Sequence, residues 1–193
     1  MTTQLKELKR IRSDSLAALC RHFEWSEKVA SFITPHASVA TVLASLINHR
    51  YWFDAATLLA HALPKREAVS WAVLVTRDYF TVASPETRAA EQAVIEAVQK
   101  WILQPEDELR MAAHAAGVKV GNRLPSYWAA MGAFWSTGNI TPEVGVITPP
   151  PPFLYARAVA ASIDMAASLS GSGRDQNYEK WLKIGLSIAE GRG

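Results

Sequence analysis

Prolines cut this chain into helix-sized pieces. Five of them stand at positions 35, 64, 85, 105 and 125, and the last three intervals are 21, 20 and 20 residues. Proline has a fixed φ and no N–H, so a helix accepts it at its first position and breaks around it in the interior. Each of these prolines opens a segment whose apolar residues recur with helical spacing. Ser84-Pro85-Glu86 is the clearest start, with Ser84 as N-cap, Pro85 as first helical residue and Glu86 as an acid in the first turn. Pro105 precedes Glu106, Asp107 and Glu108, three carboxylates that suit a helix N-terminus. Thr34-Pro35 and Leu63-Pro64 follow the same logic less completely.

The segments between the prolines carry stripes such as Val39/Val42/Leu43/Leu46/Ile47, Ala55/Leu58/Leu59/Ala62 and Ala90/Ala93/Val94/Ala97/Val98/Trp101. Two further helices are expected near 154–169 and 175–190, the second closed by Gly191. Alanine, the best helix former, occurs 31 times among 193 residues. The expected fold is therefore all-α, a single domain over 1–193 of seven to nine consecutive, mostly antiparallel helices. Residues 1–30 are a candidate semi-independent N-terminal helical segment. Alanine recurs eight positions after four of the prolines, at 72, 93, 113 and 133, which leaves a helical-repeat stack open. A run of about 15 helical residues plus a short turn gives the same spacing without a repeat.

Residues 138–153 break the pattern. Pro149 to Pro152 must run as polyproline II, and the segment reads as a rigid strap over the helices. Its apolar neighbours Val144, Val146, Ile147 and Phe153 are expected to be buried.

Several functions are excluded or unsupported. One cysteine forbids a disulfide scaffold, and 49% hydrophobic residues with a net charge of +2 argue against disorder. Cys20 shares an apolar face with Leu16, Leu19 and Phe23 and reads as a core residue. The first twelve residues show no signal-peptide pattern, and the longest apolar run is too short to span a membrane, so a cytoplasmic protein is expected. No metal, nucleotide or nucleophile motif is present, and no cofactor or metal is expected.

Two stretches carry chemistry. In 61–71, His61, Arg66, Glu67 and Trp71 gather at a helix–helix corner. One reading makes His61 and Glu67 an acid/base pair beside Arg66. The other is an ordinary charged surface corner in which His61 caps one helix and Glu67 starts the next. In 127–139, Tyr127, Trp128, Met131, Phe134 and Trp135 are too many large groups for one narrow stripe, so the helix is buried on two sides or Trp135 belongs to an interaction patch.

These stretches resemble an uncharacterised bacterial all-α family. Its pattern D-A-x-x-F-L-A-H-A-L-P-x-R-E-A-V-x-W-A is met here by Asp54-Ala55, Leu59 to Pro64, Arg66 to Val69 and Trp71-Ala72. Its W-x-x-x-P-x-x-x-x-R-x-x-A is met by Trp101, Pro105, Arg110 and Ala113. The F-W-S-x-G part of its A-x-F-W-S-x-G and its proline run are met by Phe134 to Ser136 with Gly138, preceded here by Ala133, and by Pro149 to Pro152. Lys65 stands at a variable position, Asn139 departs from the usual small polar residue, and the first 40 residues have no counterpart. The resemblance implies an α-helical cytoplasmic protein and supplies no activity.

The leading expectation is a non-enzymatic protein–protein interaction module, an adaptor or accessory protein of a larger bacterial assembly. It rests on seven tryptophans and the mixed-charge corner, with His61, Arg66, Glu67, Trp71 and Trp135 as interaction residues. The alternative is a small-molecule binder or enzyme with a pocket near His61, Glu67 and Trp71. A third reading, nucleic-acid binding, would use Lys6, Lys9, Arg10 and Arg12.

Overall fold

The computed structural model describes residues 5, 7–13, 15–30, 33–34, 36–141 and 146–192. Lys6, Pro35 and the 142–145 part of the strap, with Val144, lie outside them. Among the described residues there are ten α-helices and no β-strand. Two are single turns, α1 (Leu16–Leu19) and α2 (Glu27–Ala30). The others are α3 (Val39–Asn48), α4 (Trp52–Ala62), α5 (Lys65–Tyr79), α6 (Pro85–Leu103), α7 (Asp107–Val120), α8 (Pro125–Phe134), α9 (Leu154–Leu169) and α10 (Arg174–Ala189). None is long and apolar enough to cross a membrane.

The prolines do their expected work at α6 and α8, where Pro85 and Pro125 sit in the first turn. Ser84 Oγ accepts the Thr87 N–H at 3.2 Å, and Ser38 Oγ caps α3 through the Thr41 N–H at 3.1 Å. Pro64 and Pro105 stand one and two residues ahead of their helices. At Pro64 the chain turns a corner, because an extended residue before a proline cannot continue α4.

The helices do not stack linearly. α9 returns from the end of the strap to pack on α4, α5, α8 and α10. In a repeat array each unit touches only its neighbours, and the alanine pattern fails at the same point: Ala72, Ala113 and Ala133 are buried but Ala93 is exposed. Small residues set how close the central helices come. A Cβ on Gly132 of α8 would stand 3.3 Å from both Val159 of α9 and Val69 of α5. On α6 the buried face runs through Glu91, Val94, Ile95, Val98 and Trp101, while Ala90 and Ala93 face solvent.

The N-terminal segment lies across the bundle. The Arg10 N–H donates to Ala189 O and the Arg12 N–H to Ala62 O, both at 2.8 Å. Ser26 gives its N–H and its hydroxyl to the two oxygens of buried Asp54, at 2.8 and 2.9 Å. This accounts for the carboxylate at the head of the D-A motif, which ties α4 to the start of α2. Cys20 is half-buried against the core.

The strap is held by side chains rather than by burial. Asn139 Oδ1 accepts the Thr148 N–H at 2.8 Å, and Asn139 Nδ2 donates to Val146 O at 2.9 Å. Val146 and Ile147 are exposed, against the sequence expectation; Ile147 keeps 83% of its surface. Phe153 alone among the described apolar residues at this end packs inward. The loop is anchored from behind by Arg110, whose buried guanidinium reaches Phe134 O at 2.9 Å, Asn139 O at 3.3 Å and Asp107 Oδ1 at 2.7 Å.

Candidate functional site

The corner at Leu63-Pro64 separates the residues that the sequence places side by side. Trp71 is fully buried, its indole N–H donating to Trp181 O at 2.8 Å. Arg66 and Glu67 line a shallow groove with Arg10, Leu74 and Ile102, where the Arg66 guanidinium donates to Ile102 O at 2.5 Å. His61 is buried on the other side, in a cavity to which neither contributes. No His61–Glu67 acid/base pair is assembled. His61 is not a surface cap either. Trp135 is half-buried and faces a third cavity beneath Pro150 to Pro152.

The His61 cavity has a volume of about 490 Å³, within the range of roughly 300–1,000 Å³ common for small-molecule sites. Phe53, Thr57 and His61 line it from α4 at i, i+4 and i+8, so they share one helix face. Arg157, Ala160, Ala161 and Asp164 line it from α9, at one-turn spacing. The two alanines leave the space that larger residues would fill. Phe23 and Glu24 close the end.

His61 fixes the chemistry. Its Nδ1 lies 2.8 Å from Thr57 O, and a carbonyl can only accept, so Nδ1 carries the proton. Burial is the main cause that lowers the ring's pKa from 6.5 to about 4; the Thr57 bond opposes the shift, and charge on Arg157 and His22 adds to it. At neutral pH the ring is therefore uncharged and Nε2 is a bare lone pair. Neither His61 Nε2 nor the Thr57 hydroxyl, both buried, finds a hydrogen-bond partner among the described residues. The aromatic surroundings are the Phe23 ring at 4.6 Å and the Phe153 ring at 5.8 Å from the His61 ring.

Arg157 and Asp164 at the rim are already engaged. Arg157 donates to His22 O at 2.7 and 3.1 Å. Asp164 Oδ1 accepts from Arg174 at 2.9 Å and from the Tyr178 hydroxyl at 2.6 Å; burial and this carboxylate keep Tyr178 protonated. A base with a pKa near 4 abstracts protons poorly at neutral pH. The arrangement is built to accept a hydrogen bond. No group of three or more metal-ligating side chains forms among the described residues.

Thr57, Arg157 and Asp164 were not singled out by sequence reasoning. The available signal was the polar pair Thr57 and His61, one turn apart on an α4 whose only other charged or hydroxyl-bearing side chain is Asp54.

The fold and this cavity define an all-α, single-domain helical protein with a histidine-walled cleft open to solvent. Residues 42–189 match a family model described as a family of unknown function, DUF6931. The chain belongs to that family. No curated protein and no solved structure matches it. The matched stretch holds His61, Thr57, Arg157 and Asp164, whereas Phe23 and Glu24 precede it.

Proposed function

We propose that this protein binds a small organic molecule in the His61 cavity, through a hydroxyl or N–H of the ligand donated to His61 Nε2. The observation that carries this is the buried pair of unpartnered atoms, His61 Nε2 and Thr57 Oγ1, which lie just beneath the surface of a cavity of about 490 Å³ lined by their residues. Leaving a buried polar group unpaired costs about 1–3 kcal/mol, and a donor that reaches these atoms after a small side-chain shift recovers it. Phe23 and Phe53 favour a flat, apolar body for the ligand.

The adaptor reading draws less support. Of its two grounds, the tryptophan excess goes mostly into the core, with four tryptophans buried and Trp25, Trp128 and Trp135 half-buried, while Arg66 and Glu67 of the mixed-charge corner do line a surface groove. Of the basic residues named for nucleic-acid binding, Lys9, Arg10 and Arg12 are exposed, but the Arg12 guanidinium is turned onto the fold, donating to the Tyr155 hydroxyl and lying over the Phe153 ring.

The test is a matched pair of probes, 2-naphthol and its methyl ether, titrated by ligand-observed NMR. Binding of the naphthol at least tenfold tighter than the ether, lost in His61→Phe, supports the proposal. Equal affinities, or no binding of either, refute it.

A further inference from the structure

A second cavity, of about 250 Å³, lies at the foot of the proline strap. Arg12 and Lys65 both line it, with Trp135, Phe153, Tyr155 and the wall of Pro150 to Pro152. We propose that Arg12 and Lys65, with Tyr155 positioning the Arg12 guanidinium, form a binding site for a small oxyanion, a phosphate or carboxylate group, beneath this wall.

The first argument is charge. Two cationic side chains share one cavity, and neither has a carboxylate within salt-bridge distance among the described residues. Glu67 is close enough to act on Tyr155 but pairs with neither cation. Burial and the Arg12 charge both lower the Lys65 pKa, which is the signature of a like-charge pair lacking its counterion. A bound anion removes that repulsion.

The second argument is that the donors are held in place. The Arg12 backbone is tied to Ala62 O at 2.8 Å, its guanidinium donates to the Tyr155 hydroxyl at 3.2 Å, and it lies over the Phe153 ring at 4.7 Å. The Tyr155 hydroxyl in turn donates to Leu63 O at 2.9 Å. The Lys65 ammonium is anchored on Ser136 O. A guanidinium has five N–H donors and an ammonium three, so both keep donors free for a ligand. Donors fixed before binding lose little entropy on binding.

The third argument is the helix. Lys65 is the first residue of the 15-residue α5, whose N-cap is Pro64 and whose first turn receives no side-chain cap. The positive end of the dipole adds to the two charges, offset in part by Glu67 in the same turn. The apolar wall limits water and strengthens all three terms.

This site is separate from the His61 cavity; Phe153 stands between them, its ring against both Arg12 and His61. The test uses the full-length protein. Sodium phosphate and sodium acetate are titrated against sodium chloride at equal ionic strength, following the Arg12 Nε–H and Trp135 indole N–H signals by NMR. Saturable shifts of these signals with phosphate or acetate, weakened at least tenfold in both Arg12→Gln and Lys65→Gln and kept in Lys65→Arg, support the site. His61→Phe should leave this binding unchanged while abolishing that of the naphthol. No response beyond chloride overturns the proposal, as does binding that survives Arg12→Gln, a variant at an exposed position that tests the site even should Lys65→Gln fail to fold.

Discussion

Protonating His61 should destabilise this protein, because burial disfavours the charged ring. The ring is buried, its Nδ1–H is committed to Thr57 O, and its folded pKa is about 4 against 6.5 for a free histidine. The unfolded chain therefore binds more protons than the folded one between those values. Stability is complete above pH 6.5 and falls as pH drops towards 4. At pH 5 the loss is about 2 kcal/mol, growing to about 3 kcal/mol well below pH 4. The assay is urea unfolding at pH 8 and pH 5 for the wild type and His61→Asn. Asparagine can put its Nδ2 where Nδ1 stands and still donate to Thr57 O, but it does not titrate. The variant should be less stable at pH 8, since it leaves space, and should lose about 2 kcal/mol less than the wild type on going to pH 5. All other titrating groups are common to both and cancel. Equal losses, or an NMR titration midpoint for His61 between 6 and 7, would refute the argument and with it the bare Nε2 lone pair.

Other substitutions test the packing around the two cavities. Phe153 adopts a left-handed conformation, φ 64°, where the strap enters α9; Phe153→Gly and Phe153→Ala both lose the ring, so the glycine variant should be more stable by about 1 kcal/mol, read by urea unfolding. Gly138 has φ 76°, and an added Cβ would stand 2.6–2.8 Å from the guanidinium of buried Arg110; Gly138→Ala should cost more than about 2 kcal/mol. Gly185→Ala gains about 1 kcal/mol of helix propensity but drives a methyl within 2.6 Å of buried Trp71; overpacking of about 1–3 kcal/mol should win, lowering Tm in calorimetry. Glu91 is buried, and burial raises its pKa; one oxygen accepts the Ser126 N–H at 2.9 Å and the other has no partner among the described residues. A raised acid pKa means stability declines as pH rises through it, so Glu91→Gln should stabilise more at pH 8 than at pH 4.

What was legible in the sequence was local. The cap at Ser84-Pro85 needs only neighbouring residues, and it stands as expected. The buried face of α6 differs from the Ala90/Ala93 stripe because alanine fits either side of a helix and carries no register, and Glu91 was not marked as part of that face. Its carboxylate is buried because the Ser126 amide, at the start of a helix 35 residues later, needs an acceptor. The exposure of Val146 and Ile147 has a similar origin, since the Asn139 hydrogen bonds fix the loop before burial can choose its direction. At the candidate site the sequence marked the right histidine and the wrong partner. His61 and Glu67 are close in the chain, but the corner at Pro64 turns them into different cavities. The α9 residues that do face His61 come about a hundred positions later, and no local pattern joins them to α4.

Both cavities share a division of labour. The family-matched stretch, 42–189, supplies His61, Thr57 and Arg157 to one and Lys65, Trp135 and Tyr155 to the other. The segment before it supplies Phe23 and Glu24 to the first and Arg12 to the second. The same segment is pinned to the bundle at Ala62, Asp54 and Ala189. Phe153 then links the two cavities, because one ring packs on His22, His61 and Arg12 together. Any adjustment of Arg12 on binding an anion reaches His61 through the Phe153 ring that packs on both, and any shift of His61 on binding a ligand returns by the same ring. By linkage the two effects are equal in free energy. Phosphate at saturation should therefore change the affinity for 2-naphthol, and naphthol the affinity for phosphate, by the same factor. Phe153→Gly should uncouple them while leaving both sites occupied.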